Sequence, residues 1–335
     1  MTTPRLITTR FTADSTTDVV LRGVDLTGLR AIVTGASSGL GRETARALAA
    51  AGAEVTLAVR NRAAGDAAAD AIARSTGRAR PHVRPLDLAD RSSIAAFVGA
   101  WDAPLHLLVN NAGLVTSGLE RTREGWELQL ATNHLGHFAL SVGLHDALAV
   151  GASGAPRASG RPTPAGHRGA RIVSLSSTAH MRANVDFDDL HFERRDYDPQ
   201  LAYAQSKTAN ALFAVEATRL WAADGIVVNA VNPGGVATGL QRNFSASQKS
   251  SLDAAEAAGV FAYKSIAQGA ATTLVAAVAP EFASTGGHYL DDAVEAYTVA
   301  DDALLAEHPH GVKQWALDPA NAERLWAVSL GMLAG

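Results

Sequence analysis

Short, nearly continuous apolar runs alternate with alanine-rich amphipathic segments between about residues 30 and 290. The apolar runs predict strands at residues 30–34, 54–59, 80–86, 105–110, 171–176, 226–231 and 287–290. Runs without polar alternation are typical of strands buried on both faces of a parallel sheet. The intervening segments predict helices at residues 40–51, 63–75, 92–100, 124–149 and 203–223. This alternation predicts a doubly wound α/β fold, a parallel sheet of about seven strands with helices on both faces.

Three segments do not follow this alternation of strands and helices. Residues 1–27 form a polar, threonine-rich N-terminal extension, which we expect to be partly disordered. Residues 151–169 are rich in Gly, Pro, Ala and Arg and predict a long surface loop. Residues 300–335 form a C-terminal extension with two amphipathic pieces that could pack over one side of the core. We therefore expect a single domain over residues 28–335, which includes this loop and the C-terminal extension.

The composition is that of a globular enzyme. Of the 335 residues, 47% are hydrophobic and 19% are charged, which provides enough apolar material for a sizeable core. The net charge of -4 is spread along the chain without a basic block, so neither a nucleic acid nor a membrane is an expected partner. The absence of cysteine excludes disulfides, thiolate nucleophiles and cysteine-ligated zinc. With no visible secretory signal or bilayer-spanning stretch, we expect a cytoplasmic protein.

A glycine-rich sequence directly follows the first predicted strand: Thr34-Gly35-Ala36-Ser37-Ser38-Gly39-Leu40-Gly41. Gly35 allows a tight turn, Gly39 removes a side chain where the backbone must approach a phosphate, and Gly41 lets the next helix pack closely. The N–H groups and positive dipole at the start of that helix favour a pyrophosphate. The loop therefore predicts a dinucleotide site on a Rossmann-type fold. Its contact residues are Gly35, Ser37, Ser38, Gly39, Leu40 and Gly41.

The end of the second predicted strand indicates which dinucleotide is bound. Sites specific for NAD place a carboxylate there to bind the ribose 2′-hydroxyl, and residues 55–62 contain none. Arg60 can instead pair with a 2′-phosphate, with Ser37 as a supporting hydroxyl donor. The sequence therefore predicts NADP(H) as the cofactor.

Two further strand ends lie on the same predicted edge of the sheet. Asp87 and Leu88 close the third strand, where the carboxylate can accept a hydrogen bond from the adenine amino group. Residues 110–113 close the fourth with Asn-Asn-Ala-Gly, whose small residues let the chain pass close to a cofactor. Because ligands bind at the carboxyl ends of such strands, we add Asp87, Leu88, Asn111 and Gly113 to the predicted cofactor-binding residues.

Tyr203 and Lys207 lie four residues apart in a predicted helix, which puts both side chains on one helical face. A phenol has an unperturbed pKa of about 10, too high for easy proton exchange near neutrality. A nearby ammonium group, together with an oxidised nicotinamide, favours the phenolate and lowers that pKa. The pair therefore predicts a tyrosine that acts as general acid or base.

Two more polar residues complete the predicted reaction centre. Residues 172–177 end the fifth strand in two serines, and we choose Ser177 over Ser176 as the hydroxyl that hydrogen-bonds a substrate carbonyl. Asn133 stands in the middle of a predicted helix, where asparagine is unfavourable unless something needs it. We expect Asn133 to hold a water that relays protons to Lys207.

Together these motifs resemble those of the short-chain dehydrogenase/reductase family over roughly residues 26–290. The resemblance implies hydride transfer to or from a nicotinamide, with Tyr203 as general acid/base and Lys207 on the nicotinamide ribose. It also implies that Ser177 orients the carbonyl and that Asn133 completes a proton relay. The turn at residues 232–234 and the positions after it match as well. The resemblance therefore adds these cofactor contacts: Pro233, Gly234, Val236 and Thr238.

Residues 57–60, 175–180 and 202–210 are similar to the retinol-dehydrogenase-like branch, which also includes light-dependent protochlorophyllide reductases. We expect none of the membrane anchors common among animal members, and the loop at 151–169 is longer than the family pattern, so a retinoid substrate is not implied. We predict a carbonyl reductase (ketoreductase) or alcohol dehydrogenase for a medium-sized, mostly apolar molecule. The alternatives are reduction of an activated C=C bond and a non-catalytic NADP(H)-binding regulatory protein.

No motif in the sequence identifies the substrate. Residues 241–262, the loop after Ser177 and the tail are expected to select it, and NADP(H) use favours reduction. The sequence does not decide whether the chain forms a homo-oligomer. It also does not decide whether three aromatic residues line a substrate pocket or anchor the tail: Tyr297, Trp315 and Trp326. His134 and His137 lie three apart without a third ligand at recognisable spacing, so no metal is expected.

Overall fold

An eight-stranded sheet forms the centre of the computed structural model, which describes residues 5–153, 169–239, 250 and 263–335. Its strands are β1 (Arg30–Thr34), β2 (Glu54–Val59), β3 (His82–Pro85), β4 (Leu107–Asn110), β5 (Ala170–Leu175), β6 (Ile226–Asn232), β7 (Tyr289–Asp291) and β8 (Val294–Glu295). The order is β3-β2-β1-β4-β5-β6-β7-β8, and only β8 is antiparallel to its neighbour. The predicted Rossmann-type fold is confirmed, but the count of about seven strands is one short.

The missed strand, β8, folds back on β7 through a two-residue turn. Asp292 and Ala293 form this turn with φ angles of 47° and 66°, the left-handed values that tight hairpins require. Leu290 then pairs with Glu295, and Asp291 with Val294. An Asp-Ala pair lacks the glycine that usually marks such a turn, so the residue pattern does not indicate this hairpin.

Helices cover both faces of the sheet. They are α1 (Thr17–Val20), α2 (Gly39–Ala50), α3 (Arg62–Thr76), α4 (Arg91–Gly99), α5 (Leu128–Leu130), α6 (Gly136–Gly143), α7 (His145–Ala152), α8 (Pro199–Trp221), α9 (Ile266–Gly269), α10 (Ala271–Val278), α11 (Gln314–Leu317) and α12 (Pro319–Ala334). The 3₁₀ turns are Thr178–Arg182, Ala222–Asp224 and Pro280–Phe282. A separate parallel pair, β9 (Thr298–Val299) and β10 (Val312–Lys313), belongs to the C-terminal extension.

The strands are buried on both faces because successive side chains enter two different cores. Val33 of β1 belongs to one hydrophobic cluster, which also contains residues of α2, α3 and α10. The preceding residue, Ile32, belongs to a second cluster with residues of α4, α6 and α8. Alternation between two apolar layers explains why the strands appear in the sequence as continuous apolar runs.

The single helix predicted at residues 124–149 is wrong in its start and its continuity. The Glu127 side chain accepts hydrogen bonds from the backbone N–H groups of Gln129 and Leu130, so it caps a helix that begins at Leu128. Residues Ala131–Leu135 form a π-helical turn, and the helix breaks again at Leu144 before α7 begins. The prediction therefore merged three helices and the turn between them.

The N-terminal extension is tied to the core, so the expectation of disorder is wrong for residues 5–27. Phe11 is buried, and α1 lies against α2. The Arg46 guanidinium reaches Asp18 at 2.7 Å, and the Thr17 hydroxyl contacts Glu43. These bonds connect a segment of polar sequence to the first helix of the sheet domain.

The C-terminal extension packs on the outer face of α6 and α8. The Trp326 ring of α12 lies 4.8 Å from that of Phe138 and 5.3 Å from that of Trp221, measured between centroids. His134 Nε2 lies 3.0 Å from Ser329 Oγ of the same helix. Trp326 therefore anchors the tail, which decides one of the alternatives that the sequence left open.

Two other features complete the description of the fold. The predicted loop at 151–169 starts later than expected, because residues 151 and 152 still belong to α7, and residues 154–168 lie outside the described residues. Among the residues that the structure describes, no single helix has both the length and the apolarity to cross a membrane. One consecutive pair, Leu128–Gly143 with His145–Ala152, satisfies both criteria together but is bent by 58°.

Candidate active site

The glycine loop connects β1 to α2 at the carboxyl edge of the sheet. Gly35 and Gly39 have φ angles of 65° and 55°, in the left-handed region that side chains rarely adopt. A Cβ at Gly41 would overlap the Asn111 side-chain amide and lie 2.7 Å from the Gly35 carbonyl oxygen. These glycines therefore fold the loop tightly against the end of β4, with the start of α2 behind it.

The start of α2 fits an anionic group. Its first N–H groups have no partner within the helix, and the N-cap residue Ser38 makes no side-chain capping hydrogen bond in the described chain. Among the described residues, a Cβ at Gly39 would meet only the side chain of Thr238, at 3.7 Å. Ser37 and Leu40 are half-buried beside it. A pyrophosphate would be held here by backbone N–H groups and the helix dipole.

The predicted adenosine contacts lie at the ends of β2 and β3, on the same edge. Arg60 is exposed immediately after β2, and Asn61 caps α3 behind it. Asp87 is half-buried and accepts a hydrogen bond from Ala89 N at 3.0 Å. Leu88 is buried, and a Cβ at Gly136 would overlap its carbonyl oxygen, so the chain passes directly over α6.

The segment after β4 joins the cofactor side of the site to the reaction centre. Asn111 Nδ2 donates to the Thr34 carbonyl oxygen at 2.7 Å, which ties this segment to the end of β1. A Cβ at Gly113 would lie 3.4 Å from Asn133 Oδ1 and 3.7 Å from Lys207 Nζ. Gly113 therefore lies beside both Asn133, the predicted relay residue, and Lys207.

Tyr203 and Lys207 lie on one face of α8, with the lysine Nζ 5.5 Å from the centre of the tyrosine ring. Lys207 is buried, and its ammonium donates to the Leu175 carbonyl oxygen at 2.8 Å. Burial lowers the pKa of Lys207 to about 8 and raises the pKa of Tyr203 to about 12. In both residues burial shifts the equilibrium toward the uncharged form, because the charged form loses its hydration.

The two serines after β5 point in different directions. Ser176 is buried and donates to the Lys207 carbonyl oxygen at 2.8 Å, so its hydroxyl is used inside the fold. Ser177 is half-buried, and its hydrogen bond with the Tyr203 hydroxyl lowers the tyrosine pKa, against the larger effect of burial. The serine that lies beside the phenol is therefore Ser177.

Asn133 lies in the π-helical turn and is fully buried. Its Oδ1 accepts from Leu114 N at 2.8 Å, while Nδ2 donates to Leu114 O and to Ser206 Oγ at 3.1 and 3.0 Å. The Asn133 carbonyl oxygen also lies 2.9 Å from His137 Nδ1. In this arrangement Asn133 fixes the segment after β4 against α8, and its role in a water relay stays a prediction.

The remaining predicted contacts follow β6. Pro233 and Thr238 are half-buried, and Gly234 has a φ angle of 77° with its N–H donated to Asn232 Oδ1 at 3.2 Å. Val236 forms a parallel bridge with Lys264. Of the substrate-selecting residues predicted at 241–262, all but residue 250 lie outside the described residues.

Charged residues that the sequence reasoning did not single out lie near this bridge. Asp291, Asp292 and His310 bring three ligand atoms within 4.8 Å of one another, an arrangement that could hold a metal ion. The Lys264 ammonium already contacts Asp292, and Asn232 donates to Asp291 at 3.1 Å. A bound cation would compete with the lysine charge, so these contacts favour an ion-pair cluster over a metal site.

His180 and Tyr289 were also missed as residues of the site. His180 lies directly under Ser177, with its Nδ1 2.8 Å from the Ser177 carbonyl oxygen and 3.1 Å from the Tyr289 hydroxyl. Burial lowers the pKa of His180 to about 4, so the imidazole is neutral. A histidine three residues after Ser177 was the available signal, but its long-range partners cannot be read from the sequence.

Comparison with known proteins shows that this chain is similar to oxidoreductases. The family model described as short chain dehydrogenase matches residues 30–185. A probable oxidoreductase of Streptomyces antibioticus is 46% identical over 90% of this chain and 97% of its own length. A polyprenol dehydrogenase of Mus musculus is 40% identical over 90% of this chain and 83% of its length. Human retinol dehydrogenase 12 is 34% identical over 92% of this chain and 88% of its length.

Solved structures share the fold over most of the chain. A putative uncharacterized protein from Mycobacterium paratuberculosis is 30% identical, with a TM-score of 0.67 over 97% of this chain and 98% of its own. The RhlG protein of Pseudomonas aeruginosa, solved as an active-site complex with NADP, is 25% identical. Its TM-score is 0.61 over 79% of this chain and 95% of its own.

Proposed function

The chain belongs to the short-chain dehydrogenase family, and on that premise we propose that it is an NADP(H)-dependent carbonyl reductase with Tyr203 as general acid/base. Membership makes it an oxidoreductase that uses a nicotinamide cofactor. The observation that carries the finer proposal is the convergence of Ser177, Tyr203 and Lys207 on one sheet edge, beside the open N-terminus of α2.

The reaction divides between cofactor and protein. When bound, the nicotinamide supplies the hydride for reduction and accepts it in oxidation. As the carbonyl carbon gains the hydride, the C=O π bond breaks and negative charge develops on oxygen. Ser177 Oγ donates a hydrogen bond to that oxygen, and the Tyr203 phenol transfers its proton to it, which completes the alcohol. Oxidation of the alcohol is the reverse sequence.

Reduction is the direction that the protonation states favour. Burial raises the pKa of Tyr203 to about 12, so the phenol is protonated near neutrality, as a proton donor must be. The pKa of Lys207, lowered to about 8, leaves most of its ammonium charged at pH 7. That charge stabilises the phenolate that remains after proton transfer.

Support for NADP(H) over NAD(H) comes from the end of β2. The first exposed residue there is Arg60, and residues 55–62 contain no carboxylate that could bind a ribose 2′-hydroxyl. A guanidinium at that place matches a 2′-phosphate in charge and in geometry. A structural neighbour, RhlG, was solved with NADP in its active site.

The substrate we propose is a medium-sized, mostly apolar aldehyde or ketone. Two similar proteins carry the names polyprenol dehydrogenase and retinol dehydrogenase 12, and both names refer to apolar alcohols. The test panel should therefore include an aryl ketone, an alkyl aldehyde, an isoprenoid aldehyde and an α,β-unsaturated ketone.

The deciding experiment measures oxidation of NADPH and of NADH against this panel, with Tyr203→Phe as the matched variant. The variant removes one hydroxyl and keeps the ring against Lys207. We expect NADPH-dependent turnover that falls by about 10²- to 10⁴-fold in the variant, while NADPH binding is kept.

Three other outcomes would each contradict a part of this proposal. A saturated carbonyl as the product from the unsaturated ketone would indicate C=C reduction. NADPH binding without turnover on any substrate would indicate the regulatory alternative. A preference for NADH would contradict the proposed role of Arg60.

A further inference from the structure

The C-terminal extension contacts the reaction centre through one buried histidine. Lys313, in β10, donates its backbone N–H to His180 Nε2 at 3.3 Å, across 133 residues of chain. His180 Nδ1 lies 2.8 Å from the Ser177 carbonyl oxygen. His180 therefore stands between the extension and Ser177, the serine beside Tyr203.

The two ring nitrogens have fixed roles. Because Nε2 accepts the Lys313 N–H, the ring proton lies on Nδ1, which donates to the Ser177 carbonyl oxygen. The same carbonyl also accepts the His180 backbone N–H at 3.0 Å. Two donors from one residue thus hold the main chain of Ser177.

The imidazole and its backbone are held on several sides. The His180 carbonyl oxygen accepts from Trp315 Nε1 and from Thr208 Oγ1, each at 3.3 Å. The ring centre of Tyr289 lies 4.7 Å from that of the imidazole. Lys313 is itself fixed, since its buried ammonium donates to the carbonyl oxygens of Asp301 and Ala303 at 2.7 and 2.5 Å. The extension therefore presents a rigid donor to His180.

We propose that His180 is a positioning residue, through which the C-terminal extension sets the orientation of the Ser177 hydroxyl toward the substrate oxygen. This inference rests on the proposed function for the role of Ser177. A free 3₁₀ turn at Thr178–Arg182 would let the serine main chain rotate, and the Oγ would move with it. Misplacement of a reacting or orienting group by about 1 Å can cost about 10²-fold in rate.

The test compares His180→Phe with His180→Asn and with Ser329→Ala, all in the full-length chain. Phenylalanine keeps an aromatic ring but removes the polar contacts of the imidazole with Ser177, Lys313 and Tyr289. Asparagine restores an N–H donor near the position of Nδ1. Ser329→Ala is the matched control, because it removes the partner of another buried histidine, His134, from the same extension. The contacts of His180 with Ser177 and Lys313 do not involve Ser329, so this variant leaves them in place.

We expect kcat of His180→Phe to fall by about 10- to 100-fold, with KM for the ketone and for NADPH within about twofold. His180→Asn should regain most of that loss. Ser329→Ala should keep the wild-type kcat even though its Tm falls. Equal kcat in His180→Phe and Ser329→Ala would overturn the inference, because the histidine would then be structural only.

Amide hydrogen exchange decides the positioning claim without turnover, so its failure can be told from failure of the proposed function. We expect faster exchange over residues 176–182 in His180→Phe than in the wild type or Ser329→Ala. Unchanged exchange in that segment would overturn the inference, whatever the wild-type enzyme reduces. An absence of wild-type turnover on the whole panel would count against the proposed function alone.

Discussion

At the scale of single residues, the reaction centre is governed by burial. The Tyr203 phenol and the Lys207 amine are both pushed toward their neutral forms, the first upward in pKa and the second downward. Among the described residues, the contact with Ser177 opposes the rise of the tyrosine pKa. A charge introduced nearby by a bound cofactor would therefore act in a poorly hydrated site, where electrostatic effects are strong.

Arg60 offers a test of cofactor choice at a single side chain. We expect Arg60→Ala to raise KM for NADPH by about 10- to 100-fold and to leave KM for NADH unchanged. Loss of a hydrogen-bonded charge on the 2′-phosphate costs about 1.5–3 kcal/mol, which corresponds to that range. Initial-rate kinetics with both cofactors provide the measurement.

The neighbouring Arg62 is the control for this change. It is also exposed, and it reaches Asp66 at 3.7 Å on the surface of α3. Arg62→Ala should leave both KM values unchanged. An equal rise of KM for NADPH in the two variants would show a general effect of positive charge and not a specific contact of Arg60.

At the scale of elements, the join between β1 and α2 depends on the absence of a side chain at Gly41. A Cβ there would overlap the Asn111 amide and press on the backbone oxygen of Gly35. We expect Gly41→Ala to weaken NADPH binding at least about tenfold and to lower Tm, because backbone in the loop must move. Isothermal titration and thermal unfolding measure the two effects.

Gly331→Ala is the matched control, since a Cβ at Gly331 in α12 would meet nothing within 4 Å. In a helix, alanine is favoured over glycine by about 1 kcal/mol, so this variant should be as stable as the wild type or more so. Its NADPH binding should be unchanged. Unaltered NADPH binding in Gly41→Ala would show that α2 can shift without cost to the site.

The elements that sequence could predict are those whose signals are local. All seven predicted strands differ from the observed ones by no more than two residues at either end, because two apolar layers require continuous apolar runs. The prediction of one helix at 124–149 failed because the start of the observed helix depends on a carboxylate cap at Glu127. Its middle depends on the contacts of Asn133 with Leu114 and Ser206.

The same distinction applies to the candidate site. Ser177, Tyr203 and Lys207 could be placed because strand ends and helical spacing bring them to one edge. His180 could not be assigned a role, since its partners Lys313 and Tyr289 are more than 100 residues away. Pairings over such distances depend on how the C-terminal extension packs, and local patterns do not encode that.

At the scale of the whole molecule, both extensions pack against the sheet domain. The N-terminal one connects to β8, where Ile7 N donates to Glu295 at 2.8 Å, and the C-terminal one covers α6 and α8. Buried polar pairs such as His134 with Ser329 occur where these segments meet the domain. The stability of the folded chain therefore depends on buried polar groups that must stay neutral.

Three buried histidines make this dependence measurable through pH. Burial lowers the pKa of His134 to about 3 and those of His137 and His180 to about 4, from the ordinary histidine value of 6.5. Between pH 6.5 and about 4 the unfolded chain binds protons that the folded chain does not. Stability is therefore fully present above pH 6.5 and is lost as the pH falls through this window. His310, whose pKa is raised beside Asp291, opposes the effect with a single group.

Each such histidine contributes about 1.4 kcal/mol per pH unit to the loss. We expect the free energy of unfolding in urea to fall steeply from pH 7 to pH 5, and less steeply in His134→Phe, which removes one titrating group. Ser329→Ala disturbs the same contact but keeps the histidine, so it should retain the wild-type slope. If His134→Phe has that slope as well, His134 is protonated in the folded protein and its pKa is not lowered by burial.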